Sequence, residues 1–199
     1  MPRSTEQLEQ LRKEKKKLIM DVALELFAHS GFHATSISEI SKNAGISKGL
    51  IYTYFSSKQE ILKEITDMAV EKIYGNFDYD RDGILTRDEF VFFIHESFRL
   101  VKENLVFWQL YTALMLQPGI MDLLGDEYRN VEGKSKPLVQ VLMRFLETQG
   151  SPDPQGDLMV ISSMIKGGFF YAITVPEFFP LDLLEDKIVH ACFRLLNNK

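Results

Sequence analysis

The sequence predicts an all-α chain, with a short N-terminal domain of three helices followed by a helical bundle. Apolar residues recur at three- and four-residue spacing through most of its 199 residues, which is the period of a helix with one buried face. Gly31, Gly45 and Pro118-Gly119 fall between periodic segments, and few stretches alternate as a half-buried strand does.

The first periodic segment carries Ile19, Val22, Ala23, Leu26 and Phe27, and Gly31 is its expected stop. Ser36-Ile37-Ser38-Glu39 is a capping box that opens a second helix, with Ile37, Ile40 and Ala44 on one face and Gly45 at its end. Ser47 caps a third helix whose inner face is Leu50, Ile51, Tyr54 and Phe55. Ser57-Lys58-Gln59-Glu60 is a second capping box, predicting a fourth helix through about Phe77.

A polar, Asp-rich loop spans Asp78 to Glu89. Helices are predicted from Phe90 to Asn104 and from Phe107 to Leu116, with a break at Pro118-Gly119 and a longer helix over Leu124 to Thr148. Asp153 and Pro154 suit the cap and first position of a helix running to Thr174. A last helix is predicted over Leu181 to Leu196.

With 15 Phe, 8 Met and 7 Tyr there is ample apolar surface to bury, so low-complexity disorder is not expected. Cys192 stands alone and forms no internal disulfide, which fits a reducing cytosol; we read it as a small core residue. The start of the chain has no secretory signal, and the longest uncharged run, Leu105 to Met121, is too interrupted to span a bilayer. A cytoplasmic protein without membrane contact is expected. Net charge is −5, but residues 1–60 carry +2 and the remainder −7, as suits a protein offering one end to DNA.

Three short helices with a glycine turn between the second and third make a helix-turn-helix, whose third helix must show small and polar side chains to the major groove. Here that helix buries Leu50, Ile51 and Phe55 and turns Lys48, Gly49, Tyr52 and Thr53 outward. Gly49 costs a helix roughly 1 kcal/mol against Ala, which makes sense where backbone must approach a base edge.

Residues 19–62, IMDVALELFAHSGFHATSISEISKNAGISKGLIYTYFSSKQEIL, resemble the DNA-binding region of the tetracycline-repressor (TetR) family, most specifically in GISKGLIYTYFSSKQEIL. The resemblance covers about a quarter of the chain. It implies a TetR-like fold of about nine helices, with a DNA-binding domain over 1–62 and an effector and dimerisation domain over 63–199. It also implies that Thr35 and Ser36 touch phosphate at the start of the second helix. Lys48, Gly49 and Tyr52 would face base edges or a thymine methyl. Thr53 and Tyr54 would contact phosphate, and Lys58 would bind phosphate from the far side. Tyr54 and Phe55 also belong to the buried face. The basic run Arg12, Lys13, Lys15, Lys16 and Lys17 reads equally well as a minor-groove arm or as a solvated helix face.

In that family the C-terminal helices hold a small effector and pair two subunits on a palindromic operator. The partners implied are therefore double-stranded operator DNA, a second copy of the chain and a small apolar ligand, and repression is the usual mode. The pairing helices would be about 154–174 and 181–196, with Gly167 and Gly168 permitting close approach, between subunits or within one. Phe93, Phe98, Phe107, Trp108, Tyr111, Met115 and Met159 are the candidate pocket, although aromatics at helical spacing usually make core.

One pattern departs from the resemblance. Residues 78–89 fit the EF-hand calcium loop at each diagnostic position. Asp78, Asp80 and Asp82 would supply side-chain oxygens, Ile84 its carbonyl, Thr86 a water-bridged oxygen and Glu89 a bidentate carboxylate, with Gly83 at the sharp turn. Four carboxylates converging in one loop repel one another unless a cation compensates; in a splayed loop, water screens them instead. Calcium at this loop is thus an expected ligand, although no cofactor is required, and no second loop is found to pair with it. A calcium sensor or buffer is the alternative to a DNA-binding regulator. No catalytic residues are expected, since neither a nucleophile motif nor a phosphate-binding loop is present.

Overall fold

The computed structural model describes residues 5–75, 77, 82–129, 136–175, 177–178 and 181–197. All regular structure among them is helical: α1 (Thr5–Ser30), α2 (Ile37–Asn43), α3 (Lys48–Tyr52), α4 (Lys58–Tyr74), α5 (Arg87–Glu103), α6 (Leu105–Met115), α7 (Ile120–Leu124), α8 (Asp126–Arg129), α9 (Lys136–Thr148), α10 (Pro154–Thr174) and α11 (Leu181–Asn197).

The chain divides into two units. The first joins residues 1–68 to 110–125. Its core is Ile19, Ala23, Phe27, Phe32, Ile40, Ile51, Phe55, Ile61, Leu62, Ile65, Leu114 and Ile120, all buried. The N-terminal half of α1 buries nothing before Ile19, since Lys, Glu and Gln dominate it; one tie to the rest of the unit is the Lys16–Glu64 ion pair at 2.8 Å. Both partners are more than a third exposed, so that pair contributes little stability.

The second unit joins residues 69–109 to 126–199, and within it α10 packs on α5, α9 and α11. Phe90 stacks on Phe145 at 5.0 Å and Phe98 meets Phe169 at 4.8 Å. Gly168 makes the crossing close: a Cβ built there lies 2.6 Å from both Phe98 Cζ and Ile188 Cδ1. Glu185 is buried on α11, and its carboxylate takes His95 Nδ1 at 2.9 Å and the Lys102 ammonium from α5. A buried carboxylate needs such partners. Cys192 is fully buried, and burial pushes its thiol up to about 11, so it acts as a small core residue.

The predicted long helix from Leu124 is interrupted. The chain turns at Gly125 (φ +82) between α7 and α8, and α9 begins at Lys136. Among the described residues two short helices, α7 and α8, thus add to the nine expected. Elsewhere the ends shift by a few residues: α4 stops at Tyr74 and α5 starts at Arg87. No described helix is long and apolar enough to cross a membrane.

Candidate nucleic-acid interface

The reader is assembled by local capping. Ser36 has extended backbone (φ −109, ψ 156), and its hydroxyl accepts from the Glu39 amide at 3.2 Å. The Glu39 carboxylate takes the Ser36 amide at 2.7 Å and its hydroxyl at 2.9 Å, closing the expected box. Those bonds from Ser36, backbone first, hold the Glu39 carboxyl below its ordinary range, and the Lys58 charge adds to them. Gly45 turns the chain at φ +64, a conformation costly for any residue with a Cβ. Ser47 then caps α3 by accepting from the Leu50 amide at 3.1 Å.

At the start of α4, Ser57 Oγ accepts from the Glu60 amide at 3.1 Å, as the second box requires. The Glu60 carboxylate reaches one residue further back than predicted, to the Ser56 amide at 2.5 Å and hydroxyl at 2.6 Å. The box therefore closes on two serines instead of one.

On α3 the buried side chain is Ile51, followed by buried Phe55, while Lys48, Gly49, Tyr52 and Thr53 are exposed and Leu50 and Tyr54 half-buried. Tyr52 keeps 51% of its surface open to solvent, a large share for an aromatic side chain. A Cβ at Gly49 would meet nothing closer than Ser47 Oγ at 4.0 Å, so nothing inside the chain demands glycine there. The Thr53 hydroxyl donates to the Leu50 carbonyl at 2.7 Å, and Ser36 is exposed.

Two residues of the predicted set face elsewhere. Thr35 is buried, its hydroxyl donating to the Gly31 carbonyl at 2.9 Å. The Lys58 ammonium donates to the carbonyls of Phe32, His33 and Thr35 at 2.8, 3.0 and 2.9 Å. The basic run of α1 meets the reader through Arg12, 6.0 Å from the Tyr54 ring centroid, and Lys16, 5.6 Å from that of Phe55.

One residue that sequence reasoning missed also bears on this turn. Gln117 accepts from the Phe32 amide at 2.9 Å and donates to the Phe27 carbonyl at 2.6 Å. A glutamine before Pro118-Gly119 gives no sequence signal for partners so far back along the chain.

The predicted pocket residues fall in both units, four of them on α6. In the second unit, Phe93 packs with Phe77 at 4.8 Å and Tyr74 at 5.9 Å, and Phe98 with Phe169. Phe107 meets Trp108 at 5.0 Å and carries the Lys72 ammonium 4.4 Å from its ring centroid. Trp108 Nε1 donates to the Leu100 carbonyl at 3.3 Å. Tyr111 and Met115 belong to the first unit. Met159 is 66% exposed on α10.

Of the predicted calcium ligands, Asp78 and Asp80 lie outside the described residues. Asp82 Oδ1 accepts from the Ile84 amide at 2.7 Å, and Ile84 is exposed. Thr86 is the N-cap of α5, and Glu89 is its capping-box partner: Oε2 accepts from the Thr86 amide at 2.8 Å and hydroxyl at 2.7 Å. Among the described residues no three His, Cys, Asp or Glu gather as a metal site.

The sequence profile described as bacterial regulatory proteins, tetR family, matches residues 19–65. The HTH-type transcriptional regulator UidR of Escherichia coli (strain K12) is 33% identical over 151 residues, covering 74% of this chain and 74% of the relative. Other bacterial regulators align over shorter stretches, and there the chain spans only 17% to 43% of their length. Among solved structures, a TetR-like transcriptional regulator from Rhodococcus sp. RHA1 superposes with a TM-score of 0.71 at 18% identity, covering 100% of both chains. The regulator FadR from Bacillus subtilis, in complex with stearoyl-CoA, gives 0.65 at 19% identity, covering 90% of this chain and 98% of that one. At such identities the likeness is one of fold.

Proposed function

This chain belongs to the TetR family of bacterial regulatory proteins, and from that premise we propose that it is a dimeric, cytoplasmic repressor that leaves its operator when a small apolar effector binds the C-terminal helices. The observation that carries the reading is the outward face of α3, where Lys48, Gly49, Tyr52 and Thr53 stand exposed above buried Ile51. An exposed lysine, an open glycine and a half-exposed tyrosine on a short capped helix suit base edges in a major groove. Ser36, exposed at the start of α2, suits phosphate.

Pairing of two subunits is supported by α10. Met159, Val160, Phe170 and Tyr171 are exposed along it, with Ser163 and the side-chain-free Gly167 between them. An exposed apolar stripe calls for a cover, and a second copy presenting the same stripe gives a self-complementary seam. The stearoyl-CoA bound by the Bacillus subtilis FadR carries a long apolar acyl chain, which makes long-chain acyl compounds the first effectors to try.

The test is fluorescence anisotropy of the chain with the duplex upstream of its own gene, against a scrambled duplex, with sedimentation in parallel. Sequence-specific, salt-sensitive binding by a dimer, lost in Phe170→Asp together with the dimer, supports the reading. No specific binding to that duplex, nor to any duplex selected from random DNA, overturns it.

Calcium at residues 78–89 stands beside this as a second proposal. Gly83 (φ +78), exposed Ile84 and buried Leu85 follow the order that the loop template sets for its turn, carbonyl donor and apolar position.

A further inference from the structure

We propose that Lys58 is a positioning residue of the DNA reader, which sets the α1–α2 turn and through it the start of α2, and that it does not touch phosphate. The inference rests on the repressor reading and departs from the phosphate contact that the family resemblance implies.

A lysine ammonium has three donors and no acceptor. At Lys58 all three are taken, by the carbonyls of Phe32, His33 and Thr35 at 2.8 to 3.0 Å. The same nitrogen lies 4.7 Å from the Phe32 ring centroid, a cation–π distance. A phosphate oxygen would have to displace one of those carbonyls. Phe32 and Thr35 are buried, so a displaced carbonyl there would have little water to turn to.

The consequence follows from the chain beyond α1. The turn between α1 and α2 runs outside any helical ladder, and a side chain from α4 supplies partners for three of its carbonyls. The peptide unit is planar, so each carbonyl held on the ammonium turns the next amide away from it. The amides of His33, Ala34 and Ser36 are thereby oriented together, and Ser36 is the cap that starts α2. Thr35 locks the same turn from inside through Gly31, by its amide at 3.1 Å and its hydroxyl at 2.9 Å.

Lys58→Met keeps the aliphatic stem and removes the charge. Lys58→Arg keeps the charge, but its planar, diverging donors do not fit three carbonyls set around one nitrogen. Both would be measured as the full chain, by anisotropy over a potassium chloride series, on a duplex recovered by selection from random double-stranded DNA. Amide hydrogen exchange over 31–36 would be followed in the same proteins.

The expected result is binding weakened roughly tenfold or more in both variants, the factor that about 1.4 kcal/mol represents. The slope of log K against log salt stays at the wild-type value and the Thr35 amide exchanges faster. A slope reduced by about 0.9 in Lys58→Met, with wild-type affinity in Lys58→Arg, would identify a phosphate contact and overturn the proposal. Unchanged affinity with only a lower melting temperature would overturn it as well. If Lys58→Met does not fold, Lys58→Arg decides by the same readouts. If the wild-type chain binds no duplex, the repressor reading fails by itself, and unchanged exchange would then also remove the turn-setting role.

Discussion

The side-chain amide of Gln117 stands in for backbone at Phe32: its oxygen accepts the Phe32 amide at 2.9 Å, while its nitrogen donates to the Phe27 carbonyl at 2.6 Å. Phe32 is 1% exposed, so water is a poor substitute for that partner. Removing one side of a buried hydrogen bond costs the desolvation of the group left behind, about 1–3 kcal/mol. Gln117→Ala is therefore expected to lower the stability of the full chain by that amount in chemical denaturation. Gln117→Glu should also destabilise, because a carboxylate still accepts from Phe32 but opposes the Phe27 carbonyl. If both variants melt like the wild type, the two bonds carry no stability.

The adjacent glycines of α10 should behave oppositely. A methyl at Gly168 meets Phe98 and Ile188 at 2.6 Å, whereas one at Gly167 meets nothing within 4 Å. Overpacking of that kind costs about 1–3 kcal/mol, and an alanine in an open helical site gains up to roughly 1 kcal/mol over glycine. In a Phe170→Asp background, which isolates one subunit under the dimer reading, Gly168→Ala should lower the melting temperature and Gly167→Ala raise it. Equal shifts would mean that the α5–α10–α11 crossing is looser than its geometry.

These pairs show where the sequence was legible. Ser36, Ser47 and Asp153 could be read as caps because the chemistry closes within three residues, and each does so here. The outward set Lys48, Gly49, Tyr52 and Thr53 follows from the helical period once Ile51 and Phe55 are taken as core. The period says nothing of which donor meets which acceptor across the fold. That is why Thr35 turning inward, Lys58 on three carbonyls and the Gln117 bridge were not foreseen. The split of Gly167 from Gly168 escaped for the same reason, since neighbouring residues on one helix face different partners. The helical extension from Thr5 to Leu18 gave little apolar signal, because the buried residues of α1 begin at Ile19.

The Ser36–Glu39 box predicts a pH dependence. Glu39 is held below its ordinary carboxyl value, first by the Ser36 amide and then by its hydroxyl. A depressed carboxyl contributes stability that is full above its unfolded value and is lost as pH falls through its folded value. Ser36→Ala removes the hydroxyl from both of its bonds. In a side-chain carboxyl NMR titration Glu39 should move up toward its ordinary value. The stability gap between variant and wild type should be widest near neutral pH and should narrow in acid, where Glu39 is protonated in both. A gap independent of pH would assign the effect to the Glu39 amide bond alone.

Glu89 permits the calcium proposal to be tested without disturbing α5. Its Oε2 takes both Thr86 donors, so removing the side chain would uncap the helix and confuse any metal effect. Gln serves equally at that position of a capping box. Glu89→Gln therefore keeps α5 but takes a negative charge and a bidentate ligand from the loop, which a hard cation would feel. In chelator the two proteins should melt together. Added calcium chloride should raise the melting temperature of the wild type with concentration, as a ligand of the folded state does, and leave Glu89→Gln unmoved. If calcium leaves the wild type unmoved as well, residues 78–89 are an acidic connection screened by water, and Glu89 serves the helix cap alone. If calcium raises both equally, it binds elsewhere on this acidic chain.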